Sequence, residues 1–196
     1  GIGALGSTLS DLCISGCKQL TELPADIGKL RNLRSLTIRN CAVLKTLPPE
    51  IYQLKRLRTL NLMFCKSLWL PAEIGYLEDL EELNLAGLNN LPEELSRLKS
   101  LRTLHLRQWR TPSHVPGWVG QLSNLEAVIL AGWSKMTSLP DDFFANLTRL
   151  AILEIDGCPA LKTLPSCVWN LEKLSCLRIA DCSVESILLP AISLGK

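Results

Sequence analysis

One phrase recurs along the whole chain: a leucine, two residues, a second leucine or valine, one residue and an aliphatic side chain. A near-constant step between such phrases is typical of a stacked array, in which each unit packs only against its neighbours. Eight copies in register therefore predict one continuous repeat domain over residues 1–196. We number the copies one to eight and count positions from each first leucine. These leucines are Leu9, Leu33, Leu57, Leu80, Leu101, Leu125, Leu150 and Leu174, with steps of 24, 24, 23, 21, 24, 25 and 24 residues.

The second copy, residues 33–56, indicates what each position does. Leu36 and Ile38 alternate with polar residues, as on the buried face of a short strand. Pro48 has no N–H to donate and marks the point where the chain leaves the strand, and Ile51 begins a segment that suits a short helical or 3-10 turn. One copy cannot bury its own leucines, so the strands of successive copies must stack. We expect an α/β solenoid of about eight repeats of ~24 residues, with parallel strands on the concave face and short helical or 3-10 turns on the convex face.

Position nine, where the chain turns out of the strand, is a cysteine in five copies and a tryptophan in two. A small side chain with a weak S–H donor can satisfy loop carbonyls and pack against the same position one copy away. The spacing does not match a zinc-ligand pattern, so we assign no metal. Such cysteines would be at risk of oxidation outside the cell, which favours the cytoplasm. We expect an inward-facing structural set, the turn column, of Cys17, Cys41, Cys65, Trp109, Trp133, Cys158 and Cys182.

No set of residues in the sequence forms a recognisable active site. There is no glycine-rich phosphate loop, and the histidines His105 and His114 have no catalytic partner in the pattern. The net charge of +2 gives no argument for nucleic acid, and no apolar run is long enough to span a membrane. We therefore expect neither an enzyme nor a cofactor, small-molecule substrate, nucleic-acid partner or membrane span. The remaining expectation is a protein partner.

The side chains that point outward from the strands differ from copy to copy. Met63 and Phe64 lie between Arg39 and Arg107, and arginine and exposed apolar side chains dominate protein contacts. The alternative reading, that these are ordinary solvent-facing residues, stays open at this point. The candidate protein-binding residues of the concave face are Arg34, Arg39, Arg58, Asn61, Met63, Phe64, Asn84, His105, Arg107 and Gln108.

The unit L-x-x-L-x-I-x-x-C-x-x-L-x-x-L-P-x-x-I-x-x-L over Leu33–Leu54 resembles the leucine-rich repeats of plant intracellular nucleotide-binding immune receptors, the disease-resistance proteins. Leu150–Leu171 repeats it with Val168 in place of isoleucine, and Val115-Pro116-Gly117-Trp118 is similar to the proline-x-tryptophan variant of that family. The resemblance implies a leucine-rich-repeat horseshoe that senses ligands in the defence response and restrains its receptor. It implies as partner a pathogen effector, a guarded host protein or the receptor's own nucleotide-binding domain.

Two other classes of protein carry the same kind of repeat. One is a standalone intracellular scaffold in signal transduction, similar to the Ras-associated leucine-rich proteins, and the other is an extracellular receptor ectodomain. We also expect the array to continue beyond the chain, which would then be a piece of a longer protein. Ile2-x-x-Leu5 matches Ile27-x-x-Leu30, so the chain begins inside a repeat, and it stops soon after the eighth copy.

Overall fold

The computed structural model describes residues 1–109 and 113–185 and contains one open, eight-stranded parallel sheet. The strands lie in sequence order from β1 to β8, so each copy pairs with the copies next to it along the chain. This arrangement confirms the predicted solenoid. The strands are β1 Asp11–Ser15, β2 Ser35–Arg39, β3 Thr59–Asn61, β4 Glu82–Asn84, β5 Thr103–Arg107, β6 Ala127–Ala131, β7 Ile152–Asp156 and β8 Cys176–Ala180.

Short 3-10 helices return the chain along the convex side, as the spacing of the apolar residues predicts. Six of the seven follow directly on a proline in an extended conformation, because the fixed φ of proline suits the bend into the helix. In copy six, which has one residue more than most copies, residues 141–146 form turns instead. The 3-10 helices are η1 Ile2–Leu5, η2 Ala25–Lys29, η3 Pro49–Gln53, η4 Ala72–Tyr76, η5 Glu93–Arg97, η6 Gly117–Gln121 and η7 Ser166–Asn170.

The inward-facing leucines form one continuous core between the sheet and the convex turns. Leu60 pairs in register with Leu36 on one side and Leu83 on the other, and all three are fully buried. The core of the described residues contains no buried polar or charged side chain. Leu12 and Leu177, in copies one and eight, are only partly buried because each is covered by one neighbouring copy. Burial of a copy therefore depends on having a copy on both sides.

Position eight has a left-handed backbone in every copy, with φ between 51° and 75°. There the N–H turns to donate to the next copy, as from Phe64 to the carbonyl of Ala86 at 2.7 Å and from Gly132 to Asp156 at 2.8 Å. From the sequence we expect position eight only to face outward, and its hydrogen bond to the next copy is not predicted. The signal is present, because glycine, asparagine and aspartate tolerate this conformation best. The left-handed column comprises Gly16, Asn40, Phe64, Gly87, Gln108, Gly132, Gly157 and Asp181.

Replacing Leu60 with alanine tests the register of the core. The change removes buried methyl groups between two fully packed copies, so we expect the free energy of unfolding to fall by about 2–5 kcal/mol. Hydrogen exchange should rise mainly over residues 33–100, because contacts run only between neighbours. Thr59→Ala, on the same strand but facing outward, is the matched control and should shift stability by no more than about 0.5 kcal/mol. Chemical denaturation curves of Leu60→Ala that overlay the parent would contradict this packing.

Candidate protein-interaction surface

Ion pairs join different copies across the outward-facing surface, three of them between adjacent copies and one between copies five and seven. Exposed pairs of this kind contribute at most about 1 kcal/mol each to stability, but they hold the charged groups in defined positions. The pairs, with their nitrogen–oxygen distances, are Arg58–Glu81 at 3.0 Å, Arg102–Glu126 at 2.7 Å, Arg107–Glu154 at 3.5 Å and Arg178–Asp156 at 3.5 Å.

The Arg107 side chain crosses over an entire strand to reach its partner. Arg107 belongs to β5 and Glu154 to β7, so the ion pair passes over β6. The outward side chains of β6 are small or apolar, and Ile129 and Ala131 are only 6% and 9% exposed. Arg107 is thus engaged by the protein itself rather than free, and a partner carboxylate would have to compete with Glu154.

His105 is half-buried beside the carboxylate of Glu82 on the neighbouring strand β4. Desolvation by burial lowers the pKa of its imidazole, an effect that Glu82 opposes and Arg107 reinforces. The Nε2 atom lies 4.0 Å from a carboxylate oxygen of Glu82. The neutral ring therefore predominates at neutral pH and offers a hydrogen-bond donor and acceptor rather than a charge.

Two of the candidate binding residues also stabilise the backbone. The side-chain oxygens of Asn61 and Asn84 each accept a hydrogen bond, at 3.1 Å, from the backbone N–H two residues on, at Met63 and Ala86. This closes the turn after the short strands β3 and β4. Each amide oxygen thus accepts one hydrogen bond from the backbone, and the NH₂ group is available as a donor to an outside partner.

The candidate residues differ in how far they are exposed. Arg34, Arg39 and Arg58 are exposed, and Arg39 Nε donates to the Ser15 hydroxyl of copy one at 2.9 Å. Met63 and Phe64 are half-buried, which departs from the expected full exposure. The physical reason at Phe64 is its left-handed backbone, with a φ of 62°, which directs the ring onto Gly87 of the next copy.

Phe64 belongs instead to a groove at the carboxyl ends of the strands, the rim groove. Exposed Gln108 lines the same groove, whereas Arg39 and Arg107 do not. The rim groove is lined by Lys18, Asn40, Ala42, Phe64, Lys66 and Gln108.

The turn column donates hydrogen bonds to backbone carbonyls. Cys17, Cys41 and Cys158 donate within their own copies, whereas Cys65, Trp109 and Trp133 donate to the copy before them. The thiol of Cys65 donates to the Ile38 carbonyl at 3.3 Å, and the Trp133 indole donates to the Leu106 carbonyl at 2.7 Å. Trp109 donates to Leu88 and packs edge-on against Trp133 with ring centroids 4.8 Å apart. The column thus supplies donors inside an otherwise apolar interface between copies.

Cys17 is an exception to the expected inward placement. It is exposed, and Cys182 is only partly buried, whereas Cys41, Cys65 and Cys158 are buried. In this structure copy one is covered by copy two alone, so the Cys17 thiol remains accessible. Burial is the main cause that raises the pKa of Cys65 and of Cys158 to about 11. These two thiols are neutral and unreactive at neutral pH.

All eight cysteines are free. Within the described ranges there is no group of three or more histidine, cysteine, aspartate or glutamate side chains that could hold a metal ion. A search of the same residues finds no helix with the length and apolarity needed to cross a membrane.

The repeated strand, the convex 3-10 turn and the inward leucines define a leucine-rich-repeat solenoid, and the chain belongs to the leucine-rich-repeat family. Residues 8–128 match the family described as leucine-rich repeat region. Two disease resistance proteins of Arabidopsis thaliana are similar to parts of the chain. RPS4B is 42% identical over 60 residues, which is 31% of this chain, and RPP5 is 33% identical over 81 residues, which is 40%. These matches cover only 5% and 6% of the relatives' own lengths.

Solved structures share the fold over almost the whole chain. A leucine-rich-repeat protein of Leptospira interrogans aligns with a TM-score of 0.61 and 26% identity, over 95% of this chain and 58% of that one. The leucine-rich repeat domain of the type III effector XopL aligns with a TM-score of 0.65 and 25% identity, over 93% of this chain and 74% of that one. Folds of this kind are typically non-enzymatic scaffolds that bind proteins.

Thiol labelling distinguishes buried from accessible cysteines. In the native protein at neutral pH, we expect Cys13, Cys17 and Cys176 to react quickly with a maleimide, because they are exposed. Cys41 and Cys158 should react only after unfolding, because they are buried. Peptide mapping by mass spectrometry of timed samples measures each rate, and a denatured sample is the control in which all eight react. Native labelling of Cys41 and Cys158 as fast as that of Cys13 would contradict the inward turn column.

Proposed function

We propose that this domain is the ligand-sensing and autoinhibitory part of a plant immune receptor that acts in the cytoplasm in the defence response. The similarity to two Arabidopsis disease resistance proteins supports the receptor class. The free cysteines support a reducing compartment, because a buried column of thiols is at risk of oxidation outside the cell. The partner in this proposal is a pathogen effector, a guarded host protein or the receptor's own nucleotide-binding domain.

One observation carries the proposal: the inward positions are nearly constant, whereas the outward positions vary in size, charge and polarity. At position four the side chain is leucine in seven copies and valine in one. One residue further, at position five, the eight copies present a different surface, with Cys13, Thr37, Asn61, Asn84, His105, Ile129, Glu154 and Arg178. Such a surface can be changed to suit a partner without changing the core that holds the copies together.

The outward surface of the sheet is open and of suitable size. Within residues 1–109 and 113–185, the strands contact neighbouring strands and the 3-10 helices contact neighbouring 3-10 helices, so none of these elements covers the concave face. Eight strands at about 4.8 Å spacing extend for about 34 Å, enough for an extended segment of about ten residues. Exposed Arg58 and Arg102 and their carboxylate partners give this surface charges that orient an approaching protein.

Site-specific photo-crosslinking tests the proposal. A photoreactive amino acid replaces Thr37 or His105 on the concave face, and Glu73 on the exposed convex side is the matched control. After irradiation in plant extract, we expect one protein to be captured from both concave positions and not from the convex one. That protein, once purified, should bind the parent chain saturably.

Two kinds of result would contradict the proposed binding surface. Equal capture from Glu73, or no capture from either concave position, would show that the concave face is not the binding surface. Partner binding that survives Arg58→Glu together with Arg102→Glu at low salt would remove the role assigned to the concave charges, because these changes reverse the field that orients the partner.

A further inference from the structure

The rim groove combines an aromatic side chain in an unfavourable backbone conformation with two lysines. It occupies about 540 Å³ along the carboxyl ends of the strands of copies one to five. This is space for a few side chains of a partner and far more than a single ion needs. The groove lies beside the concave face, so a protein that covers the concave face reaches it as well.

Phe64 is not the residue that the backbone at its position favours. The other seven members of the left-handed column are glycine, asparagine, aspartate or glutamine. A bulky aromatic residue with positive φ is an outlier, and such strain persists at sites where a particular side chain has a use. The identity of Phe64 therefore needs an explanation other than the turn itself.

The neighbouring copy is fitted to the Phe64 ring. A Cβ atom added to Gly87 would lie 2.8 Å from Phe64 Cδ1, so any larger residue would displace the ring. Gly87 supports one part of the ring, and the rest of it lines the groove. The aromatic surface is held in place before any partner arrives, which lowers the entropy cost of binding.

The charge of the groove defines the partner's chemistry. Lys18 and Lys66 are exposed, and no ion pair among the described residues engages either one. None of the residues that line the groove is acidic. The surrounding copies are basic too, because residues 1–70 contain ten lysines and arginines against four acidic residues. An anionic partner is therefore attracted both by the groove and by its surroundings.

Two large apolar side chains are exposed in the loops that follow β2 and β3. Trp69, in the loop after β3, is 56% exposed, and Val43, in the loop after β2, is 38% exposed. At the position of Trp69, copy two has the polar pair Lys45-Thr46, so the tryptophan is not required by the repeat. Exposed tryptophan next to basic side chains is typical of a protein contact.

We infer that the rim groove binds an acidic segment of a partner protein through one apolar or aromatic side chain that packs on Phe64. Lys18 and Lys66 engage carboxylates on either side of that side chain. The lysines belong to copies one and three, about 9.6 Å apart at two strand spacings. A segment in the polyproline II conformation, with three residues per turn and a rise of about 3.1 Å per residue, would place carboxylates three residues apart on one side at nearly this distance. The inference rests on the proposed function, because it names the kind of segment that a protein partner would offer.

A fluorescein-labelled peptide, Gly-Ser-Glu-Trp-Ser-Glu-Ser-Gly, is the probe, and fluorescence anisotropy in about 50 mM salt measures its binding to the full chain. We expect saturable binding to the parent, and binding weaker by about tenfold or more for Phe64→Gly and for Lys18→Glu with Lys66→Glu. Peptides with the tryptophan changed to alanine or both glutamates changed to lysine should bind as weakly. Because Phe64→Gly loses ring packing but relieves the backbone, we expect its Tm to shift by no more than about 4 °C.

Asp181→Gly is the matched control. It relieves the same left-handed conformation in copy eight, which does not line the groove, and should bind the peptide like the parent. Three outcomes would overturn the inference: no binding to the parent, equal binding of the lysine peptide, or unchanged affinity of Phe64→Gly. Crosslinking from Thr37 and His105 is read separately. If crosslinking from the concave face captures a protein but the peptide does not bind, only the inference about the rim groove is contradicted. If crosslinking from the concave face captures no protein, the proposed function is contradicted.

Discussion

The structure depends on one constraint: a copy can bury its leucines only against the copies beside it. Leu60 is fully buried because Leu36 and Leu83 lie in register on its two sides. The same requirement keeps all eight strands parallel and in sequence order, since any other pairing would separate the leucines of adjacent copies. It also explains why Cys17, with a neighbour on one side only, is exposed while Cys41 is buried.

Stacking brings backbone groups of each copy against the next, and two sets of residues satisfy them. The left-handed column donates forward to the following copy, as from Phe64 to Ala86, and some members of the turn column donate back to the preceding one, as from Cys65 to Ile38. These bonds and the leucines hold the inner side nearly invariant. Most outward side chains are not needed for these contacts, so the outward side is where a partner can be recognised.

The repeat step is enough to predict the strands, the convex turns and the division into inward and outward positions, because these follow from periodicity alone. Contacts between outward side chains of different copies could not be predicted in that way. The ion pair from Arg107 across β6 to Glu154 depends on the small side chain of Ala131 between them. The position of the Phe64 ring depends on the glycine at position 87, and only the structure brings these two residues together.

Inward positions hold the fold, whereas outward positions whose side chains do not bond to the backbone are free to vary. Two libraries test this division most directly: one randomises the outward residues Thr37, Thr59 and His105 to polar residues, and the other randomises the inward residues Leu36, Leu60 and Leu104 in the same way. Folded yield and melting are measured for members of each. We expect most outward variants to fold with a Tm near that of the parent, whereas inward variants should lose cooperative melting. Outward variants that unfold as often as inward ones would contradict it.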